Sequence, residues 1–180
     1  MFILIGIVLV ILFSILILFS FRELSPVPYF PSNKADKKII LKALDLKNDQ
    51  VVIDLGAGDG WILFEAAHVA QKKNLNTKFI QVEINPVLIG VLHIKRLLHP
   101  NRENIYIRHF DFLKEDLKKL LTFDSQFLTF YLYVSPQFIP TLTKKIQSFN
   151  KKATVVSYFY PVVGKKPSAV WEGKHTVYKY

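Results

Sequence analysis

The segment Val51 to Gly60 reads V-V-I-D-L-G-A-G-D-G, and no other stretch limits the fold of this chain as tightly. Val51, Val52 and Ile53 form an uncharged apolar run, the pattern of a strand buried on both faces of a parallel sheet. Asp54 follows, then Gly56, Gly58 and Gly60 at every second position. Glycines at this density let the chain turn sharply and leave bare backbone for a ligand to approach. A helix is expected from about Trp61. Strand, glycine turn and helix together begin a doubly wound α/β sheet that takes nucleotide-like ligands at the strand's C-terminal edge.

The spacing separates two ligand classes. A dinucleotide turn follows G-x-G-x-x-G, but Trp61 occupies the place of its third glycine. The pattern is instead D-x-G-x-G-x-G. It resembles motif I of the seven-strand methyltransferases that use S-adenosylmethionine, a resemblance that implies a cofactor role for Asp54, Gly56, Gly58 and Gly60. A tight glycine turn without a ligand is the plain alternative.

Lys78 to Val82 reads as a second strand ending at Glu83, 29 positions after Asp54. An acid there, one helical crossover later, can accept charge-assisted hydrogen bonds from both ribose hydroxyls. Asn85 can cap the next helix, and Pro86 suits its first turn. Asn104 to Arg108 is a third short strand, leading into His109-Phe110-Asp111-Phe112. The same resemblance implies that Asp111 meets the adenine amino group and that Phe112 packs on the ring. Asp111 is equally an N-cap for a helix over Phe112 to Leu121.

The first residues have another character. Phe2 to Phe21 contains only Gly6, Ser14 and Ser20 as non-hydrophobic members and no charge. Such a run can span a bilayer core of about 30 Å as one helix. A cleavable signal peptide needs a basic start, a shorter apolar core and small residues at a cut site, and these are missing. Arg22, Lys34, Lys37 and Lys38 follow the run while no basic side chain precedes it. The expectation is a single-pass anchor of a cell membrane with the C-terminal part cytoplasmic. Residues 1–22 are then the anchor, 23–32 a proline-rich linker and lid, and 33–180 one domain.

That domain carries the formal net charge of +10. Its basic residues are mostly scattered lysines, with no arginine-rich stripe and no aromatic-interleaved basic patch, so no nucleic-acid partner is expected, and attraction to an anionic leaflet is a side effect. Cysteine is absent, which excludes disulfides and thiolate metal sites. The five histidines show no metal-ligand spacing, and no metal is expected.

The remaining pattern is a helix over Asn33 to Leu46 and then strand 51–55, helix 61–72, strand 78–83, helix 86–98, strand 104–108, helix 112–121, strand 127–133, helix 136–149 and strand 153–159. Ala169 to Glu172 and His175 to Tyr180 read as a closing hairpin. The fold class is α/β, a doubly wound Rossmann-like sheet. Pro161 to Ser168 is too short and too rich in Pro and Gly for the helix that a full seven-strand methyltransferase places between its fifth and sixth strands.

P-Y-F-P-S at Pro28 to Ser32, E-I-N-P after the second strand, and V-W-x-G-x-x-x-V-Y from Val170 to Tyr178 sharpen the resemblance. From Pro28 onward the chain is similar to a group of small protein-lysine methyltransferases. The group includes a broad-specificity archaeal enzyme and membrane-anchored mitochondrial enzymes acting on the adenine nucleotide translocator and the c-ring protein of the ATP synthase. Ser32 stands where those relatives usually carry threonine, which keeps a hydroxyl. The resemblance implies S-adenosylmethionine as cofactor and a lysine side chain of a protein, membrane-associated or not, as acceptor. A lysine acceptor needs an apolar, aromatic-walled pocket that lowers its pKa. Tyr133 and Ser135, at the end of the fourth strand, are the expected wall, with Tyr29 and Phe30 as a lid. The asparagine/aspartate-Pro-Pro-Tyr signature of exocyclic base-amine methylation is absent. A small-molecule or lipid methyltransferase and a non-catalytic cofactor-binding module are the other open classes.

Overall fold

The computed structural model describes residues 2–20, 30–121 and 125–180, and side chains of its first helix only at 4–13. Seven strands form one sheet: β1 (Gln50–Leu55), β2 (Lys78–Glu83), β3 (Ile105–His109), β4 (Phe127–Leu132), β5 (Thr154–Tyr158), β6 (Ala169–Trp171) and β7 (Val177–Lys179). Their order is β3-β2-β1-β4-β5-β7-β6. The first five are parallel, and β7 runs antiparallel between β5 and β6 as the second arm of the expected hairpin. The chain moves outward from β1 to β3, then returns to β4 on the other side of β1. The connections leaving β1 and β4 therefore part, which opens a crevice at the C-terminal edge between them.

The helices are α1 (Phe2–Ser20), α2 (Lys37–Leu44), α3 (Trp61–Lys72), α4 (Pro86–Leu98) and α5 (Ile139–Phe149). Alternate side chains of β1 feed two cores. Val52 joins Ile40, Leu63, Ala66, Ala67 and Leu92 of α2, α3 and α4. Val51, Ile53 and Leu55 join Phe130, Leu132, Leu142 and Ile146 on the α5 side. Double-sided burial is what makes these strands read as unbroken apolar runs. Helix α4 starts where its cap dictates: the Asn85 side chain accepts from Val87 N at 2.9 Å and Leu88 N at 3.4 Å, with Pro86 in the first turn.

The expected helix over 112–121 is not formed. Asp111 Oδ1 accepts from Leu113 N at 2.9 Å, and Asp116 Oδ1 opens a second cap on Lys118 N at 3.0 Å. Lys145 Nζ takes the Phe112 carbonyl at 2.9 Å and that of Glu115, oxygens an α-helix would need for itself. Two competing caps and a captured carbonyl leave only a 3-10 turn at Leu117–Leu120. The helices expected over 33–46 and 136–149 each begin instead as a 3-10 turn, at Lys34–Asp36 and Pro136–Phe138. The link from β5 to β6 carries no helix, as its composition implied, and Val162 plugs the α5-side core from within it.

Helix α1 extends over most of the expected span, and its described side chains from Leu4 to Phe13 are exposed. Among the described residues no helix is long and apolar enough to cross a membrane, so the expected transmembrane span has no support from them.

Gly60 ends the turn at φ 72° and packs on β2 and α4: a Cβ there would lie 1.8 Å from Gln81 Oε1 and 2.4 Å from Leu92 Cδ2. Gly60→Ala should therefore cost about 2–4 kcal/mol of stability, from left-handed backbone strain plus overpacking. A urea melt read by circular dichroism checks this; an unchanged midpoint would mean that the turn relaxes freely.

Candidate functional site

At the C-terminal edge of β1 and β4 one cavity gathers most of the residues singled out from the sequence. Asp54, Gly56, Gly58, Glu83, Asp111, Phe112, Tyr133 and Ser135 all line it. Gly60 does not; it shapes the turn from behind. Tyr29 lies outside the described residues, but its neighbours Phe30, Pro31 and Ser32 form part of the wall. Phe30 is 69% exposed and free to face a ligand.

The glycine turn is built for close approach. Gly56 and Gly58 have φ of 93° and 59°, conformations that L side chains rarely adopt. The turn is pinned to β2 by Gly56 N and Ala57 N, which both donate to the Val82 carbonyl, at 3.0 and 2.8 Å. Glu83 extends the pinning. Its carboxylate accepts from Gly58 N at 2.8 Å, Ile84 N at 2.8 Å and Asn85 N at 2.9 Å. Three N–H donors use three of the four or so lone-pair sites of a carboxylate. Glu83 thus anchors the turn as well as facing the cavity, a role that strand-end logic alone does not supply.

Asp54 sits beside this anchor, 2% exposed. Burial first, then the nearby charges of Glu83 and Asp59, push its carboxyl well above the usual carboxylate range. Three carboxylates around one cavity suit a cationic ligand. A raised pKa means that the fold favours neutral Asp54, and that this contribution is lost as pH rises through the raised value. Asp54→Asn should therefore raise the melting temperature of the ligand-free protein, by an increment that grows between about pH 5 and pH 8. It should also weaken any cationic ligand. Thermal melts across that range test the sign; a destabilised variant at every pH would show that Asp54 is ionised and held by partners.

The other wall is aromatic. Tyr131, Tyr133 and Tyr160 line it with Pro136. Tyr131 and Tyr133 lie two apart at the end of β4 and point to the same side of the sheet. Tyr131 is fully buried, and its hydroxyl bonds Ser32 Oγ at 2.7 Å. Tyr133 is half-buried and meets Tyr158 edge-on with ring centroids 4.9 Å apart. Burial, followed by like-charge neighbours, holds both hydroxyls above the ordinary tyrosine value.

Behind this wall lies a clasp. The Asp36 side chain accepts from Tyr158 Oη at 2.7 Å, Lys174 N at 2.6 Å and His175 N at 2.9 Å. Tyr158 Oη also accepts from Asn33 N at 3.0 Å and bonds His175 Nδ1 at 2.8 Å. Burial opposes ionisation of Asp36, but these bonds outweigh it and hold the carboxyl below its usual range. Gly173 packs so close that a Cβ would lie 2.3 Å from Asp36 Oδ1. The segment carrying Phe30 to Ser32 is therefore tied to both β5 and the closing hairpin. Sequence reasoning missed Tyr131, Asp59, Asp36 and Tyr158. Only the Tyr131/Tyr133 spacing carried a signal, since the clasp joins residues more than 120 positions apart.

No family model matches the chain. It is 30% identical over 155 residues to a Xenopus laevis lysine N-methyltransferase whose named target is the c-ring protein of the ATP synthase, covering 85% of this chain and 62% of that protein. It is 27% identical over 133 residues to a tRNA (guanine-N(7)-)-methyltransferase of Mycoplasma mycoides, covering 72% and 56%. The chain thus spans about three fifths of the length of these curated relatives. Among solved structures, it superimposes on an RNA methyltransferase from Salinibacter ruber in complex with S-adenosyl-L-homocysteine with a TM-score of 0.66. Sequence identity there is 22%, and coverage is 84% of this chain and 92% of that one. The rRNA methyltransferase aviRa from Streptomyces viridochromogenes gives 0.60 at 14% identity, covering 87% and 88%.

Proposed function

We propose that this chain, whose fold is that of the class I methyltransferases, binds S-adenosylmethionine and methylates the lysine side chain of a membrane-associated protein. The observation that carries the proposal is the make-up of the crevice: carboxylates Asp54, Asp59 and Glu83 on one side, Tyr131, Tyr133 and Tyr160 on the other. The residues present fit the cofactor. Positive-φ glycines leave room against the backbone, the acidic side suits its sulfonium and ammonium charges, and Glu83 and Phe112 suit ribose and adenine. S-adenosylmethionine supplies a methyl group already activated on a sulfonium.

What remains for the chain is positioning, worth about 7–11 kcal/mol when reactants are well aligned, and presentation of a neutral amine. At pH 7 only on the order of one lysine in a few thousand is neutral. The tyrosine wall supplies ring faces to hold the ammonium and an apolar environment that favours its neutral form. With their pKa values raised, Tyr131 and Tyr133 keep their protons at neutral pH and serve as walls and hydrogen-bond partners, not as bases. The amine's proton leaves through the open mouth to water. Phe30 to Ser32, held by the clasp, closes over the acceptor.

The uncharged run Phe2 to Phe21 is proposed to hold the chain at a membrane with the domain on the cytoplasmic side, supported by the basic residues that follow it. A nucleic-acid acceptor is the second reading, favoured by the tRNA-modifying relative and the net charge of +10. The deciding experiment offers tritiated S-adenosylmethionine with membrane protein, extracted lipid, small-molecule extract or total RNA. Label on protein lysines is expected. Label on RNA, lipid or a small molecule alone overturns the lysine assignment, and S-adenosylhomocysteine binding without any transfer favours a non-catalytic module. Calorimetry that found tight NAD and no S-adenosylhomocysteine would remove the cofactor.

A further inference from the structure

Helix α4 has two apolar faces. Leu88 and Leu92 are buried against the domain. On the opposite side Ile94, Leu97 and Leu98 are 64%, 67% and 79% exposed. Val87 and Val91 fall on that same side by the helical period. Folding does not require this outer stripe, because the inner face already packs the sheet. From Asn85 to Arg102 the sequence contains Lys95, Arg96 and Arg102 and no acid. Arg96 uses Nε to hold the Ile105 carbonyl, and Lys95 also pairs with Asp59. The stripe is not isolated: α1 touches α4, and the described side chains of α1 are likewise apolar and exposed.

An exposed apolar patch of this kind marks an interaction surface. A basic, acid-free amphipathic helix beside an uncharged apolar one matches the chemistry of an anionic bilayer surface. We propose that α4 lies along an anionic lipid leaflet, with Ile94, Leu97 and Leu98 dipped into the acyl boundary and Lys95 and Arg96 at the headgroups. The proposal builds on the membrane association suggested for Phe2 to Phe21, but stands on different residues. The N-terminus of α4 borders the crevice at Ile84 and Leu88. Docking along α4 therefore sets the height of the crevice above the bilayer and selects acceptor side chains at that level.

The absence of cysteine allows a direct test on the full chain. Single cysteines replace Ile11, Lys42, Ile94 or Leu98, each carrying a nitroxide, in vesicles of equal parts phosphatidylcholine and phosphatidylserine. Labels at 94 and 98 should lie about 5–10 Å below the headgroup boundary, by oxygen against nickel-chelate accessibility, while the label at 42 stays aqueous. In phosphatidylcholine alone the labels at 94 and 98 should move outward. Aqueous labels at 94 and 98 with a lipid-exposed label at 11 would overturn the α4 proposal and leave the N-terminal association standing. An aqueous label at 11 with buried labels at 94 and 98 would do the reverse. Spin–spin broadening between copies labelled at 98 would assign the stripe to self-association and overturn the leaflet as its occupant.

Discussion

Replacing Glu83 with alanine should weaken S-adenosylhomocysteine binding by about 2–4 kcal/mol, since charge-assisted hydrogen bonds contribute about 1.5–3 kcal/mol each. That is a loss of roughly 30- to 900-fold in Kd. The carboxylate is the meeting point of Gly58 N, Ile84 N and Asn85 N, so its removal loosens the glycine turn besides deleting the ribose acceptor. Glu83→Gln separates the two effects: one amide oxygen can still take backbone donors, but the charge is gone. Calorimetry on both variants, with melting curves to show that they are folded, is the measurement. Wild-type affinity in folded Glu83→Ala would reduce this residue to a structural strand end.

The second large effect is expected at Tyr133. Tyr133→Ala should lower turnover about 100-fold, the scale on which small misplacements of a reactant act, while S-adenosylhomocysteine affinity stays within about threefold. The ring forms the side of the crevice away from Asp54 and Glu83 and is braced by Tyr158 behind it. Tyr133→Phe should keep most of the activity if the ring face is what matters. A collapse of cofactor binding with normal turnover per bound cofactor would place Tyr133 in the nucleoside site or the core instead.

Much of the scaffold could be read directly from the chain because its strands are buried on both sides. Val51 to Leu55 and Lys78 to Glu83 leave no polar face to blur their limits, and Asn85-Pro86 marks the start of α4 without ambiguity. The glycine turn was legible for the same reason: few backbone paths accept glycine at every second position. Failure came where side chains compete locally with the backbone. Leu113 to Leu121 has helical composition, but Asp111, Asp116 and the distant Lys145 take its hydrogen-bonding groups first. The site was half legible. Residues fixed by motif spacing reached the crevice, whereas Tyr131 and Asp59 depend on what lies across the sheet or the next helix. The acid-free stretch after Asn85 was visible too, but which apolar side of α4 faces outward emerges only from packing.

The clasp on Asp36 has a consequence for the order in which the protein is made. The glycine turn and the four strands around it leave the ribosome well before Lys174 and His175, whose backbone N–H groups hold Asp36 in place. A nascent chain can therefore build its crevice while the Phe30 to Ser32 flap still hangs loose, and the flap settles only when β7 inserts between β5 and β6. Synthesis interrupted near Gly173 would yield a nearly complete core with no means of shutting it, so productive methyl transfer waits until translation has passed β7.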